Sequence, residues 1–134
     1  MDTATRRPHI LVCDDDHAMR GIFNEVFTDE GYLVTVQPTI CESTEHVTDL
    51  APDLIVLDLM FDGMPRGFHF LQCLKTTPAT QAIPVLVCTA AAVLDNDTRG
   101  HLRRWECASV TKPFDLDDLI AAVHECLGQK EAVA

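Results

Sequence analysis

Two hydrophobic patterns alternate along the chain. Short unbroken apolar runs occur at His9 to Cys13, Leu33 to Val36, Leu54 to Leu57, Val85 to Cys88 and, more briefly, Ser109 to Thr111. Continuous runs of this kind, bounded by turn residues, read as strands buried on both faces. Between them, apolar residues recur at spacings of three and four. Met19, Ile22, Phe23, Val26 and Phe27 form one set; Phe68, Leu71 and Leu74 a second; Leu116, Leu119, Ile120, Val123 and Leu127 a third. Such spacing lays one apolar stripe along a helix. Two further helices have thinner stripes. One follows Thr39 and is carried by Ile40, Val47 and Leu50; the other spans about 95–106 and has mainly Leu102 and Trp105. A helix so sparsely held can shift at small cost.

Punctuation supports the same division. Asp16 stands where an N-cap belongs and Gly31 where a helix would stop. Thr39-x-x-Glu42 fits a capping box for the second helix. Thr77-Pro78 closes the third, Asp115 caps the last and Gly128 ends it. Residues 1–8 read as a flexible lead-in, 9–128 as one domain, and 129–134 as a frayed tail.

Five strand–helix units in succession predict an α/β fold. The expected form is a doubly wound, five-stranded parallel sheet of flavodoxin-like order 2-1-3-4-5. In that order the C-terminal ends of strands one, three, four and five share one edge, where ligands bind in open parallel sheets. The residues at those ends are Asp14 and Asp15, Asp58, Thr89, and Lys112. Carboxylates this crowded cannot all stay ionised unless a cation offsets them. An all-oxygen site with an open side suits Mg²⁺, and Mn²⁺ would also fit. A carboxylate nucleophile at Asp58, a divalent metal, a lysine and a hydroxyl are what phosphoryl transfer to an aspartate requires.

Composition narrows the classes. The 134 residues suit a single domain. No apolar run approaches the length of a membrane span or a signal peptide, so no membrane association and a cytoplasmic location are expected. Acids outnumber bases 21 to 10, and a charge of −11 argues against direct nucleic-acid binding. The six cysteines include no C-x-x-C pair. Cys13 and Cys88 sit in strand-like runs as small buried hydrophobes. The six histidines lack ligand spacing and read as surface or structural; Phe23, Phe27 and Phe68 read as core.

Four segments together resemble the receiver domains of two-component response regulators, over about residues 9–128. They are Ile-Leu-Val-Cys-Asp14-Asp15-Asp16, Leu-Ile-Val-Leu-Asp58, Val-Leu-Val-Cys-Thr89-Ala90 and Val-Thr-Lys112-Pro113-Phe114. The resemblance implies that Asp58 is the phosphoacceptor and that Asp14 and Asp15 serve Mg²⁺ with Asp58 and the backbone carbonyl of Met60. It implies that Thr89 and Lys112 contact the phosphoryl group, and that the Lys112–Pro113 peptide is cis. The implied partners are a histidine kinase or phosphotransfer protein as donor and a downstream protein reached by protein–protein contacts. Phosphorylation is then expected to draw Thr89 inward and to repack the fourth helix and fifth strand.

Two positions depart from that family's pattern. The loop after Asp58 has Asp62 where a proline is usual, and Gly67 falls one place late, so the loop is about one residue longer. The position three before Lys112, usually aromatic, is Ser109, so the usual coupling of hydroxyl to ring cannot operate; Trp105 is the candidate substitute. A receiver-like module that meets partners without phosphate is therefore the alternative reading. An aspartyl-phosphate phosphatase of the haloacid dehalogenase type needs an acid two residues after the nucleophile, where this chain has Met60.

Overall fold

The computed structural model describes residues 6–40 and 43–133, with side chains as far as Gly128. Five strands alternate with five helices: β1 His9–Cys13, α1 His17–Asp29, β2 Leu33–Gln37, α2 Thr44–Leu50, β3 Leu54–Leu57, α3 Arg66–Thr76, β4 Val85–Ala90, α4 Asn96–Arg104, β5 Ala108–Lys112 and α5 Leu116–Val133. The strands form one parallel sheet of order β2-β1-β3-β4-β5. The expected topology is therefore the observed one.

The alternation of side chains along each strand divides the core into two layers. Leu11, Cys13, Ile55, Leu57, Val85 and Val87 face one side, where Val47 of α2, Phe70, Leu71 and Leu74 of α3 and Leu102 of α4 cover them. Ile10, Val12, Leu54, Val56, Leu86 and Cys88 face the other, under Phe23 and Phe27 of α1 and Leu119, Val123 and Cys126 of α5. All four residues of β3 are buried. Each such side chain removed from water contributes about 1.5–3 kcal/mol, so the central strands fix the positions of their own ends.

Some boundaries differ from expectation. Asp16 does cap α1, accepting from the Met19 amide at 3.0 Å. Thr39 does not cap α2, which begins at Thr44 after Ser43; Glu42, the other half of the expected capping box, lies outside the described residues. Gly128 does not end α5, which runs on to Val133, so the segment expected to fray is helical as far as described. Glu106, at φ 56°, follows α4 and terminates it. The lead-in is held from Arg6 onward. Arg6 pairs with Asp53 at 3.3 Å, and the Leu33 amide donates to the Pro8 carbonyl at 3.0 Å.

That end of the sheet is tied by side chains as well. Asp53 accepts from the His9 amide at 2.8 Å. The His9 ring reaches the Leu50 carbonyl through Nδ1 at 3.1 Å and the Thr35 hydroxyl through Nε2 at 2.7 Å.

At the opposite end, α3 starts in backbone contact with β3. A Cβ on Gly67 would collide with the carbonyl oxygen of Asp58 and lie 2.8 Å from two backbone atoms of Leu59. Gly67→Ala should therefore destabilise the fold by about 1–3 kcal/mol or more, since backbone rather than a flexible side chain must yield; urea unfolding measures it, and an unchanged midpoint would contradict this packing. Burial also divides the thiols. It pushes Cys88 up to about 12 and Cys107 to about 11, whereas Cys73 is exposed. A thiol reagent at neutral pH should modify Cys73 while leaving Cys88 and Cys107 intact in the folded protein, as read by peptide mass spectrometry.

Candidate functional site

Four strand ends and one loop build the site. Asp14 follows β1 and is still buried, at 1% exposure; the chain surfaces at Asp15, which is exposed. Asp58 follows β3, Thr89 lies in β4 and Lys112 ends β5. The register pairs Thr89 with Thr111 and Ala90 with Lys112, so the last two strands finish level.

The structure brings the expected residues together. The Lys112 ammonium donates to Asp14 Oδ2 at 2.6 Å and to Asp58 Oδ2 at 2.9 Å. The Thr89 hydroxyl donates to Asp58 Oδ1 at 2.7 Å, and the Met60 amide donates to the same oxygen at 3.1 Å. Asp58 is thus held through both oxygens. Asp14 accepts a further bond from the Asp16 amide at 2.9 Å, while Arg20 donates to the Asp14 carbonyl at 3.1 Å. The Lys112–Pro113 peptide is cis.

Charge and burial compete here. Burial raises the Asp14 carboxyl above its ordinary range, although the bond from Lys112 opposes the rise. Burial acts to lower Lys112, but its hydrogen bonds to Asp14 and Asp58 outweigh that, and the ammonium is held above its usual value. Lys112 therefore stays cationic through the neutral range. The side chains of Lys112, Asp14 and Asp58 are 16, 2 and 12% exposed. At such burial, loss of one partner leaves an uncompensated charge.

One carboxylate oxygen from each of Asp14, Asp15 and Asp58 lies within 4.8 Å of the others. Three hard, anionic oxygen donors on one open edge fit Mg²⁺, which takes few protein ligands and keeps several waters. Met60 is half-buried in the adjoining loop.

The loop after Asp58 contributes something that its charges do not suggest. Phe61 and Met64 exchange backbone hydrogen bonds at 2.9 Å, and Asp62 and Gly63 between them have φ 54° and 72°. This is a tight two-residue hairpin, for which an Asp-Gly pair is a strong sequence signal. The Asp62 amide at its tip donates to Asp15 Oδ2 at 2.9 Å. The Asp62 backbone thus orients the Asp15 carboxylate. The hairpin absorbs the added loop residue, and Gly67 still meets the end of β3.

The Thr89 hydroxyl already rests on the Asp58 carboxylate. Ser109 is exposed on β5 and brings no ring to the site. Trp105, the candidate substitute, packs with His101 of α4 and Phe68 of α3. Phe68, expected in the core, is half-buried at that helix contact.

Comparison with known proteins agrees with this geometry. The sequence matches the family model for the response regulator receiver domain over residues 10–124. It is 33% identical over 124 residues to sporulation initiation phosphotransferase F of Bacillus subtilis (strain 168), spanning 90% of this chain and 94% of that protein. It is 31% identical over 126 residues to the DNA-binding dual master transcriptional regulator RpaA of Synechocystis, spanning 94% of this chain but 52% of that protein. The chain thus spans nearly all of the first relative and about half the length of the second. A CheY-like response regulator receiver domain protein of Methanospirillum hungatei JF-1 superposes with a TM-score of 0.81 at 21% identity, covering 96% of this chain and 100% of that one; at that identity the likeness concerns the fold. The family match and the parallel sheet place the chain among the response regulator receiver domains of two-component systems.

Proposed function

We propose that this receiver domain takes a phosphoryl group onto Asp58 from a phosphohistidine on a histidine kinase or phosphotransfer protein, and signals through protein–protein contacts. The observation that carries the reading is the convergence of Thr89 and Lys112 on the Asp58 carboxylate, with Asp14 and Asp15 close enough to share a cation with it. The Bacillus relative is named a phosphotransferase, which supports phosphoryl chemistry without naming a partner here.

In this mechanism an Asp58 oxygen forms a P–O bond as the donor P–N bond breaks, and the departing imidazole takes a proton from solvent. Asp58 needs no general base, because a carboxylate is already ionised at neutral pH. Lys112 and Thr89, now bonded to the carboxylate, are placed to follow negative charge onto the phosphoryl oxygens. Asp14, Asp15, Asp58 and the Met60 carbonyl are the residues that would hold Mg²⁺. The ion would supply charge neutralisation for the transferring group. Asp16, whose carboxylate is held below its ordinary range by the Met19 amide, serves α1 as its cap rather than the metal.

Incubation with acetyl phosphate and Mg²⁺ should label the protein at one carboxylate, and Asp58→Asn should abolish the label while retaining cooperative unfolding. Labelling that persists in Asp58→Asn would refute the assignment. No labelling of the parent by acetyl phosphate or a phosphohistidine donor would favour the phosphate-independent module that Ser109 allows. Lys112→Met should lower stability by about 3 kcal/mol in the presence of a chelator, because two carboxylates lose their cation. Mg²⁺ should restore more stability to that variant than to the parent; equal restoration in urea titrations would argue against a shared cation site.

A further inference from the structure

We propose that, in this chain, occupancy of Asp58 reaches α4 through the first turn of α3, with Phe68 as the linking ring and His101 and Trp105 as its receivers. The proposal rests on Asp58 being the phosphoacceptor. It names what takes the place of an aromatic on β5.

The alternative route through β5 lacks its ring. Thr89 donates to Asp58 at 2.7 Å. Across the ladder, Ser109 pairs with Val87 and is exposed. A hydroxyl methylene cannot fill or vacate a ring-sized space, so β5 carries no bulky signal.

The route through α3 is tight at each step. The Met60 amide shares Asp58 Oδ1 with Thr89. A group added to this carboxylate must reorganise the bonds at its oxygens and the loop amide that makes one of them. The backbone of Gly67 lies against Asp58 and Leu59 with no room for a Cβ. The next residue, Phe68, donates its amide to the Leu59 carbonyl at 3.1 Å. Displacement of 58–60 is therefore displacement of Phe68. Its ring meets His101 edge-on, centroids 5.3 Å apart, and Trp105 at 6.0 Å. His101 and Trp105 are themselves 5.3 Å apart.

The receiving helix is loosely held. Leu102 is the single buried residue of α4. His101 Nδ1 is buried without a hydrogen-bond partner among the described residues, while Nε2 stands 3.9 Å from the exposed Asp97 carboxylate. An unsatisfied buried nitrogen penalises the present seating of α4, which brings a second seating that satisfies it closer in energy. Energetic communication of this kind requires an element with two arrangements that the site can bias.

Trp105 is the only tryptophan in the sequence, so its emission reports on α4 directly. Beryllofluoride with Mg²⁺ is the probe, and ¹⁹F NMR reads occupancy of the site independently. In the parent, Trp105 emission should change in step with the ¹⁹F adduct. Phe68→Leu should keep the adduct and lose more than half of the emission change, whereas Phe68→Tyr, which keeps the ring, should retain it. A full response in Phe68→Leu, or an adduct in the parent with silent Trp105, would overturn the proposal. Hydrogen exchange on the parent tests it without substitution: protection should change at 67–69 and 101–105 on adduct formation. A change at 108–110 with none at 67–69 would restore the β5 route and sink this one. Absence of any ¹⁹F adduct in the parent would overturn the phosphoacceptor reading itself, a failure visible before Trp105 is consulted.

Discussion

One ammonium group holds the functional edge together. Lys112 lies two strands from Asp58 and three from Asp14 in the order β1-β3-β4-β5, yet its Nζ contacts both carboxylates. Neighbouring strands are about 4.8 Å apart. Only a long stem on the outermost strand, aimed inward over the ends of its neighbours, bridges that span. The sheet order, the level finish of β4 and β5 and the burial of Asp14 all serve this reach. Without it, the carboxylates of Asp14 and Asp58, both little exposed, would face each other with no counter-charge.

The same contact leaves the site unfinished. Three carboxylates stand against one lysine, and the excess is the charge of one divalent ion. That excess suits one divalent cation, which these three carboxylate oxygens could hold. Backbone amides complete the arrangement: Met60 on Asp58, Asp16 on Asp14 and Asp62 on Asp15. Each carboxylate is thus oriented by a main-chain donor that adds no charge of its own.

Much of this was legible in the sequence because strands buried on both faces leave unbroken apolar runs, and the polar residue ending each run marks the site. Asp14, Asp15, Asp58, Thr89 and Lys112 were found that way. The amide donors were not, since every residue but proline carries one and only the fold selects which is used. Asp62 stood out only as the residue in a proline's usual place, although Asp62-Gly63 carried the signal of a tight turn. Thr39 and Glu42 had the spacing of a capping box, but the chain enters α2 only at Thr44. Gly128 was read as a stop; within a helix glycine costs only about 1 kcal/mol against alanine, and nothing there demands a left-handed residue. Phe68 followed the helical stripe into the core on paper, whereas in the fold it sits at the rim of α3, between the catalytic-looking edge and α4.

The clamp at the far end of the sheet gives the molecule a keel. His9 and Asp53 lock the N-terminal ends of β1 and β3 to each other, to the end of α2 and to β2. The base of the sheet is thereby fixed, while at the opposite edge α4 buries a single residue, Leu102.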